Sequence, residues 1–255
     1  MSIKGMNAVV TGAGKGIGRA TALALAKEGV NVVVASRTES DLIDLQKAVA
    51  TLGTGASALP FCADVSDEWQ VTAMAEAAVK EFGQIDILVN NVGVGKNGTV
   101  TTLATEDYDW IMNTNMRSTW LCTKAFFPLM LERGSGSVIF ISSVAGLAGL
   151  PNEPIYCATK FAQMGFAQSI DYEAYPRNVK VSVIAPGGTN TNYGFYNKTR
   201  TPGDPMLKEF HESEDIAEAV VFAVRQPPKT RVFLIGLRPM NESLGAGSGT
   251  HFTGE

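Results

Sequence analysis

The chain has 255 residues, 45% apolar and 18% charged, with a formal net charge of −4 and a mean hydropathy of +0.07. That composition fills a core and excludes the disordered class, while 21 basic and 25 acidic residues spread along the sequence leave no basic tract suited to nucleic acid or anionic lipid. No apolar run approaches membrane-spanning length and no signal-peptide region precedes the first strand pattern, so a cytoplasmic protein without a membrane partner is expected.

In chain order, strand patterns fall at Met6–Thr11, Asn31–Ser36, Ala58–Ala63, Ile85–Asn90, Ser137–Ser142, Val179–Ala185 and Arg231–Ile235. They are mostly continuous apolar runs, as expected when both faces of a sheet are covered. Helix patterns alternate with them at Ile17–Glu28, Glu39–Leu52, Glu68–Phe82, Glu106–Glu132, Ile155–Tyr175 and Glu214–Arg225. The third is the clearest: Val71, Met74, Ala75, Ala78, Val79 and Phe82 recur at helical spacing, and Ser66 with Trp69 gives half of a capping box. Such alternation, without linker or repeat, predicts a single α/β domain spanning residues 1–255. Its fold is a Rossmann-type, doubly wound parallel sheet of about seven strands, binding ligands at the strands' carboxyl ends.

The first strand runs into Thr11-Gly-Ala-Gly-Lys-Gly-Ile-Gly18, which opens the first helix. Strand, glycine turn and helix in that order form an anion cradle. Gly12 and Gly16 let backbone approach a pyrophosphate, Gly18 lets helix and strand pack closely, and Gly14, Lys15 and Ile17 lie between them. Ser36-Arg37 ends the second strand, where a dinucleotide fold meets the adenosine ribose. An acid here would accept the ribose hydroxyls and repel a 2′-phosphate; Ser36 removes that repulsion, and Arg37 and Lys15 are two cations suited to a phosphate. Each cation alone also reads as the solvated end of a strand or turn.

Asp64-Val65 ends the third strand pattern, where Asp64 also reads as a helix-start signal. Asn90-Asn-Val-Gly93 ends the fourth; Asn91 can bridge neighbouring strands, and Gly93 next to Val92 lets backbone approach a ligand. Asn115 lies inside the long fourth helix, where Asn competes for backbone hydrogen bonds. Ser143 closes the fifth strand, and Pro186-Gly187-Gly-Thr189-Asn-Thr191 follows the sixth.

Tyr156 and Lys160 stand one helical turn apart on one face, an arrangement that also describes an ordinary amphipathic surface with a solvated amine. Free Tyr titrates near ~10, so a phenolate at neutral pH needs about 4 kcal/mol of preferential stabilisation. A cation ~4 Å away supplies roughly 4 kcal/mol at an effective dielectric of ~20, before desolvation takes some back.

Thr11-Gly12, three residues, Gly16-x-Gly18, together with Tyr156-x-x-x-Lys160, resembles the short-chain dehydrogenase/reductase family. The likeness covers residues 3 to about 190, with six segments in order. It implies reversible hydride transfer between the nicotinamide of NADP(H) and a carbonyl carbon, without a metal. In this likeness Ser143 orients the carbonyl, Tyr156 is the acid, Lys160 lowers the Tyr pKa and holds the nicotinamide ribose, and Asn115 holds a water linking Lys160 to solvent. Asp64 would meet the adenine amine, Pro186 and Gly187 would cover the nicotinamide, and Thr191 would bind its carboxamide. Val92 stands where Ala is commoner, and Thr189 where Val or Ile is.

A lid over the substrate is expected at about 188–212. Tyr193-Gly-Phe-Tyr196 and Met206-Leu207 supply aromatic and apolar surface there, with Lys198 and Arg200 as its charges, which favours an apolar or aromatic carbonyl compound. Arg231-Val-Phe-Leu-Ile-Gly-Leu-Arg-Pro239 replaces the apolar-Asp-Gly-Gly ending of 3-oxoacyl-carrier-protein reductases, which weighs against 3-oxoacyl thioester reduction. A non-catalytic dinucleotide-sensing regulator is the alternative of another class, and it could discard Tyr156, Lys160 or Ser143.

Related enzymes pair into homodimers and homotetramers through helices matching 106–132 and 155–175. Trp110, Trp120, Phe126, Phe127, Phe161, Met164 and Phe166 give these helices apolar surface beyond one core stripe. Cys62, Cys122 and Cys157 read as small buried hydrophobes, His211 and His251 lack partners for a metal, and the tail 245–255 reads as mobile.

Overall fold

The computed structural model describes residues 1–193, 201 and 203–242. Gly194-Phe-Tyr196, Lys198 and Arg200 of the expected lid, His251 and the tail from 245 lie outside the described residues.

Among the described residues seven strands form one parallel sheet: β1 (Asn7–Thr11), β2 (Asn31–Ser36), β3 (Ala58–Cys62), β4 (Ile87–Asn90), β5 (Gly136–Ile141), β6 (Val179–Pro186) and β7 (Leu234–Leu237), in the spatial order β3-β2-β1-β4-β5-β6-β7. Register runs Val9 against Val33 and Leu88, then Leu88 against Val138. Alternate residues of each strand therefore face opposite layers. Ala8, Val10, Val32, Val34, Ile87 and Val89 join one core. It is covered by α1 (Gly16–Lys27), α2 (Glu39–Ala50) and α7 (Ser213–Val224). Val9, Val33, Leu88, Val138 and Phe140 join the other core, beneath α3 (Glu68–Phe82), α5 (Ser118–Arg133) and α6 (Pro154–Ala174). The chain leaves β1 toward β2 on one side and β4 lies on the other, so a crevice opens at the carboxyl ends of β1 and β4, the place such folds bind ligands.

Local chemistry moves several element ends from those read in the sequence. The N-cap of α3 is Asp67, whose carboxylate accepts from Gln70 N at 3.0 Å. Ser66 instead turns back onto Asp64, donating its N–H at 2.9 Å and its hydroxyl at 2.6 Å. The capping role expected of Ser66, and the helix-start role open to Asp64, thus both pass to Asp67. The last strand starts at Leu234, three residues after the predicted Arg231. Arg231 is held sideways by Asp171 and the Tyr175 ring, and the Val232 carbonyl is taken by the Ser182 hydroxyl at 2.6 Å.

The long predicted helix 106–132 is α4 (Thr105–Met112), a π-helical segment (Asn113–Arg117) and α5. Ser118 and Thr119 hydroxyls donate to the Thr114 and Asn115 carbonyls at 2.5 and 2.7 Å, in competition with the regular backbone ladder. Cys122 and Cys157 are buried, but Cys62 is exposed because it ends the edge strand β3. Among the described residues no helix is long and apolar enough to cross a membrane.

Candidate active site

The crevice is knitted at its base by Asn91. Its backbone N–H donates to Thr11 Oγ1 at 3.0 Å, its Nδ2 donates to the Thr11 carbonyl at 2.9 Å, and Thr11 Oγ1 donates to the Val89 carbonyl at 3.2 Å. These bonds fix the turn after β1 against the end of β4. Gly12 takes φ +64°, and a Cβ added at Gly18 would stand 2.3 Å from the Gly12 carbonyl oxygen, so α1 presses directly on that turn. Lys15 precedes α1 in extended conformation and, among the described residues, no side chain caps the helix, which leaves its first-turn N–H groups available to an anion.

A cavity of about 360 Å³ opens over this cradle. Gly12, Gly14, Lys15, Gly16 and Ile17 line it from the first turn, Ser36 and Arg37 from the end of β2, and Asp64 and Val65 from beyond β3. Asn91, Val92 and Gly93 line it from beyond β4, and Thr191 from beyond β6. Gly18 lies beneath, buried. A bare glycine turn, uncapped helix and flanking cations fit a dinucleotide pyrophosphate. Partial burial pushes the Asp64 carboxyl up, but the Ser66 hydroxyl and N–H and the charge of Arg37 outweigh it and hold the group below its ordinary range.

The sequence reading missed Asp41. It lies in the first turn of α2, where an acid ordinarily reads as a complement to the helix dipole. In the fold its carboxylate reaches Lys15 Nζ at 3.5 Å and lines the same cavity. The predicted pair of cations is thus accompanied by a carboxylate.

A second cavity, of about 120 Å³, shares Ile17, Asn91, Gly93, Thr191 and Tyr193 with the first. Ser143, Tyr156 and Lys160 line it together, with Pro186, Gly187 and Thr189. Ser143 follows β5 and accepts from Ala145 N at 3.1 Å, its hydroxyl donating to the Pro186 carbonyl at 3.4 Å. Tyr156 lies in the first turn of α6; the Tyr193 ring stands 5.7 Å from its ring and Lys160 Nζ 5.6 Å from its centroid. Lys160 is buried, and burial pushes its ammonium down to about 7. Its Nζ donates to the Ile141 carbonyl at 2.9 Å and to Gln163 Oε1 at 3.0 Å.

Asn115 does not line that cavity. Its side chain is a clamp: Oδ1 accepts from Val94 N at 2.7 Å, while Nδ2 donates to the Val94 carbonyl at 2.8 Å and to Thr159 Oγ1 at 3.0 Å. A Cβ at Gly93 would come within 3.3 Å of Lys160 Nζ, so the loop after β4 also bounds the lysine. The loop after β6 is anchored by another residue without a sequence signal. Glu242, its side chain 5% exposed, accepts from Gly188 N at 2.8 Å and pairs with Arg238 at 2.7 Å.

Glycine cradle, phenol and buried amine thus share one crevice, and residues 6–200 match the family described as short chain dehydrogenase. The chain belongs to the short-chain dehydrogenase family. This short-chain dehydrogenase is 38% identical over 238 residues to a sepiapterin reductase of Chlorobaculum tepidum, which covers 91% of this chain and 95% of that protein. Its fold matches an alcohol dehydrogenase from the archaeon Thermococcus sibiricus complexed with 5-hydroxy-NADP, with a TM-score of 0.86 at 27% identity over 93% of this chain and 98% of that one. A short chain dehydrogenase/reductase from Burkholderia phymatum in complex with NAD matches with a TM-score of 0.82 at 27% identity, over 92% and 90%. The present enzyme is therefore an oxidoreductase acting at a carbonyl or alcohol group.

Proposed function

We propose that this enzyme reversibly reduces a ketone or aldehyde to an alcohol with NADP(H). The observation that carries the reading is the meeting of Ser143, Tyr156 and Lys160 in a cavity that abuts the dinucleotide cavity through five shared residues. When bound, the nicotinamide cofactor supplies or accepts the hydride. Ser143, turning its hydroxyl proton away from the Pro186 carbonyl, would donate a hydrogen bond to the substrate oxygen, Tyr156 would deliver the proton as charge builds there, and the Lys160 cation would favour the phenolate left behind. Lys160 would also hold the nicotinamide ribose, and Asn115, whose side chain is taken up by Val94 and Thr159 and whose carbonyl already accepts from Thr119 and Gln163, would act by fixing the loop after β4 and not by holding a water.

The 2′-phosphate choice rests on Arg37 and Lys15 and on the absence of an acid at position 36. Relatives with NADP-type and NAD ligands are both consistent with the same cradle. Apolar walls from Ile141, Val144, Leu150 and Tyr193 favour an apolar or aromatic carbonyl compound. Because cells generally keep NADPH reduced, carbonyl reduction is the favoured direction. The enzyme is expected to work as a homodimer or homotetramer.

Purified protein with NADPH or NADH and a panel of aliphatic and aromatic ketones, aldehydes and one 3-oxoacyl thioester, read at the nicotinamide absorbance, tests the reading. Turnover of a ketone or aldehyde with NADPH is expected. Turnover of the thioester alone would move the enzyme to acyl-chain reduction, and tight NADPH binding with no turnover on any substrate would make it a dinucleotide sensor.

A further inference from the structure

Lys160 sits in a fully buried place where its charge is costly, and its Nζ has two oxygen partners, the Ile141 carbonyl and Gln163 Oε1. Gln163 is itself buried, one turn beyond Lys160 and two turns beyond Tyr156 on the same stripe of α6. Its Nε2 donates to Thr119 Oγ1 at 2.9 Å and to the Asn115 carbonyl at 3.2 Å. Both amide hydrogens thus have acceptors, and this fixes which end of the side chain faces the lysine; the reverse orientation would aim N–H groups at an ammonium. The two acceptors belong to α5 and the π-helical segment, so Gln163 braces Lys160 against the elements across from α6.

We infer that Gln163 is the positioning residue for the Lys160 ammonium, a neutral oxygen that keeps the charged lysine beside Tyr156. This rests on the proposed roles of Tyr156 and Lys160. A buried polar side chain is costly unless fully bonded, and Gln163 is bonded at both its oxygen and its nitrogen. Its neutrality matters as much as its oxygen. A carboxylate at this place would also hold the lysine but would oppose the positive field that favours a phenolate, whereas an apolar side chain would leave the ammonium one acceptor short. Among the described residues the other titratable groups lining this cavity are Tyr156 on α6, Glu153 just before it and Tyr193 beyond β6. The segments from β4 and β5 contribute Asn91, Gly93 and residues 141–144, which carry no titrating side chain.

The test is the pH dependence of kcat/KM for alcohol oxidation with NADP+ in Gln163→Met, a substitution of similar length without an acceptor. Oxidation needs the phenolate, so kcat/KM rises with pH through the apparent pKa of the Tyr156–Lys160 pair. Loss of an acceptor disfavours the ammonium, lowers the mean positive charge beside Tyr156 and raises the pKa of the phenol. The rising limb is expected to move up by about one pH unit, giving roughly a tenfold loss at a fixed pH below it and recovery toward the wild-type plateau above it. A purely structural role for Gln163 would lower thermal stability or the plateau while the limb stays where it is, and an unmoved limb in the folded variant overturns the inference.

If Gln163→Met does not fold, Thr119→Val removes the acceptor that steadies the amide. The limb is then expected to move the same way by about half a unit, and an unmoved limb again overturns the inference. Wild-type enzyme without turnover, or a fully active Tyr156→Phe, would instead defeat the underlying functional reading, so the two failures are distinguishable.

Discussion

Lys15 shares its charge with Asp41 at the rim of the larger cavity, so under the proposed NADP(H) preference Arg37 would carry most of the attraction for a 2′-phosphate. One charge-assisted hydrogen bond contributes about 1.5–3 kcal/mol, which corresponds to roughly 10- to 100-fold in kcat/KM. Asp41→Asn should raise the NADPH-to-NADH ratio by freeing Lys15. Ser36→Asp with Arg37→Ser should invert the ratio without abolishing turnover, because neither position reaches the reacting carbon. Paired initial-rate series with the two cofactors check both, and equal ratios in all three proteins would return Arg37 and Lys15 to plain solvated ends. The glycine cradle, Ser143, Tyr156 and Lys160 were legible in the sequence because each rests on a spacing that a strand end or helix turn converts directly into proximity. Asp41 and Gln163 were not. An acid in a first helical turn ordinarily serves the helix dipole and a Gln on a long helix carries no spacing signal, so only tertiary packing brings them to Lys15 and Lys160.

Among the elements, strand and helix order followed from apolar runs and glycine turns, whereas the ends moved wherever a side chain captured a backbone group. The predicted long helix keeps its ends to within one residue and changes inside instead, where Ser118 and Thr119 hydroxyls compete for the carbonyls that a regular helix would use. Its π-helical turn holds Asn115 against Val94 on one side and Thr159 on the other. Asn115→Ala removes three hydrogen bonds, two of them to the Val94 backbone, and should cost about 2–4 kcal/mol of stability on the usual scale of about 1 kcal/mol per bond. Urea denaturation with an unchanged m value would report that loss. A cost below about 0.5 kcal/mol would mean that the loop after β4 is held without this clamp.

For the whole molecule, the helices expected to pair divide their apolar residues between core and surface. Phe126, Phe127 and Met164 are buried in the core against the sheet, and Phe166 is partly buried between Phe140 and Trp120, which corrects the expectation that all seven apolar side chains were available to a partner. Trp110, Trp120 and Phe161 remain exposed, at 36%, 50% and 46%. Apolar surface of this kind favours association, so light scattering at micromolar concentration should give a mass of two or four times 27.1 kDa. A 27.1 kDa particle would argue against pairing. In the proposed reaction Tyr156 supplies the proton and the dinucleotide cradle works independently of it. The most direct measurement is NADPH-dependent turnover of Tyr156→Phe beside its NADPH affinity, read by nicotinamide fluorescence. Nearly all turnover should be lost with affinity close to wild type, since only the reacting hydroxyl is removed; substantial turnover in the folded variant would take Tyr156 out of the reaction.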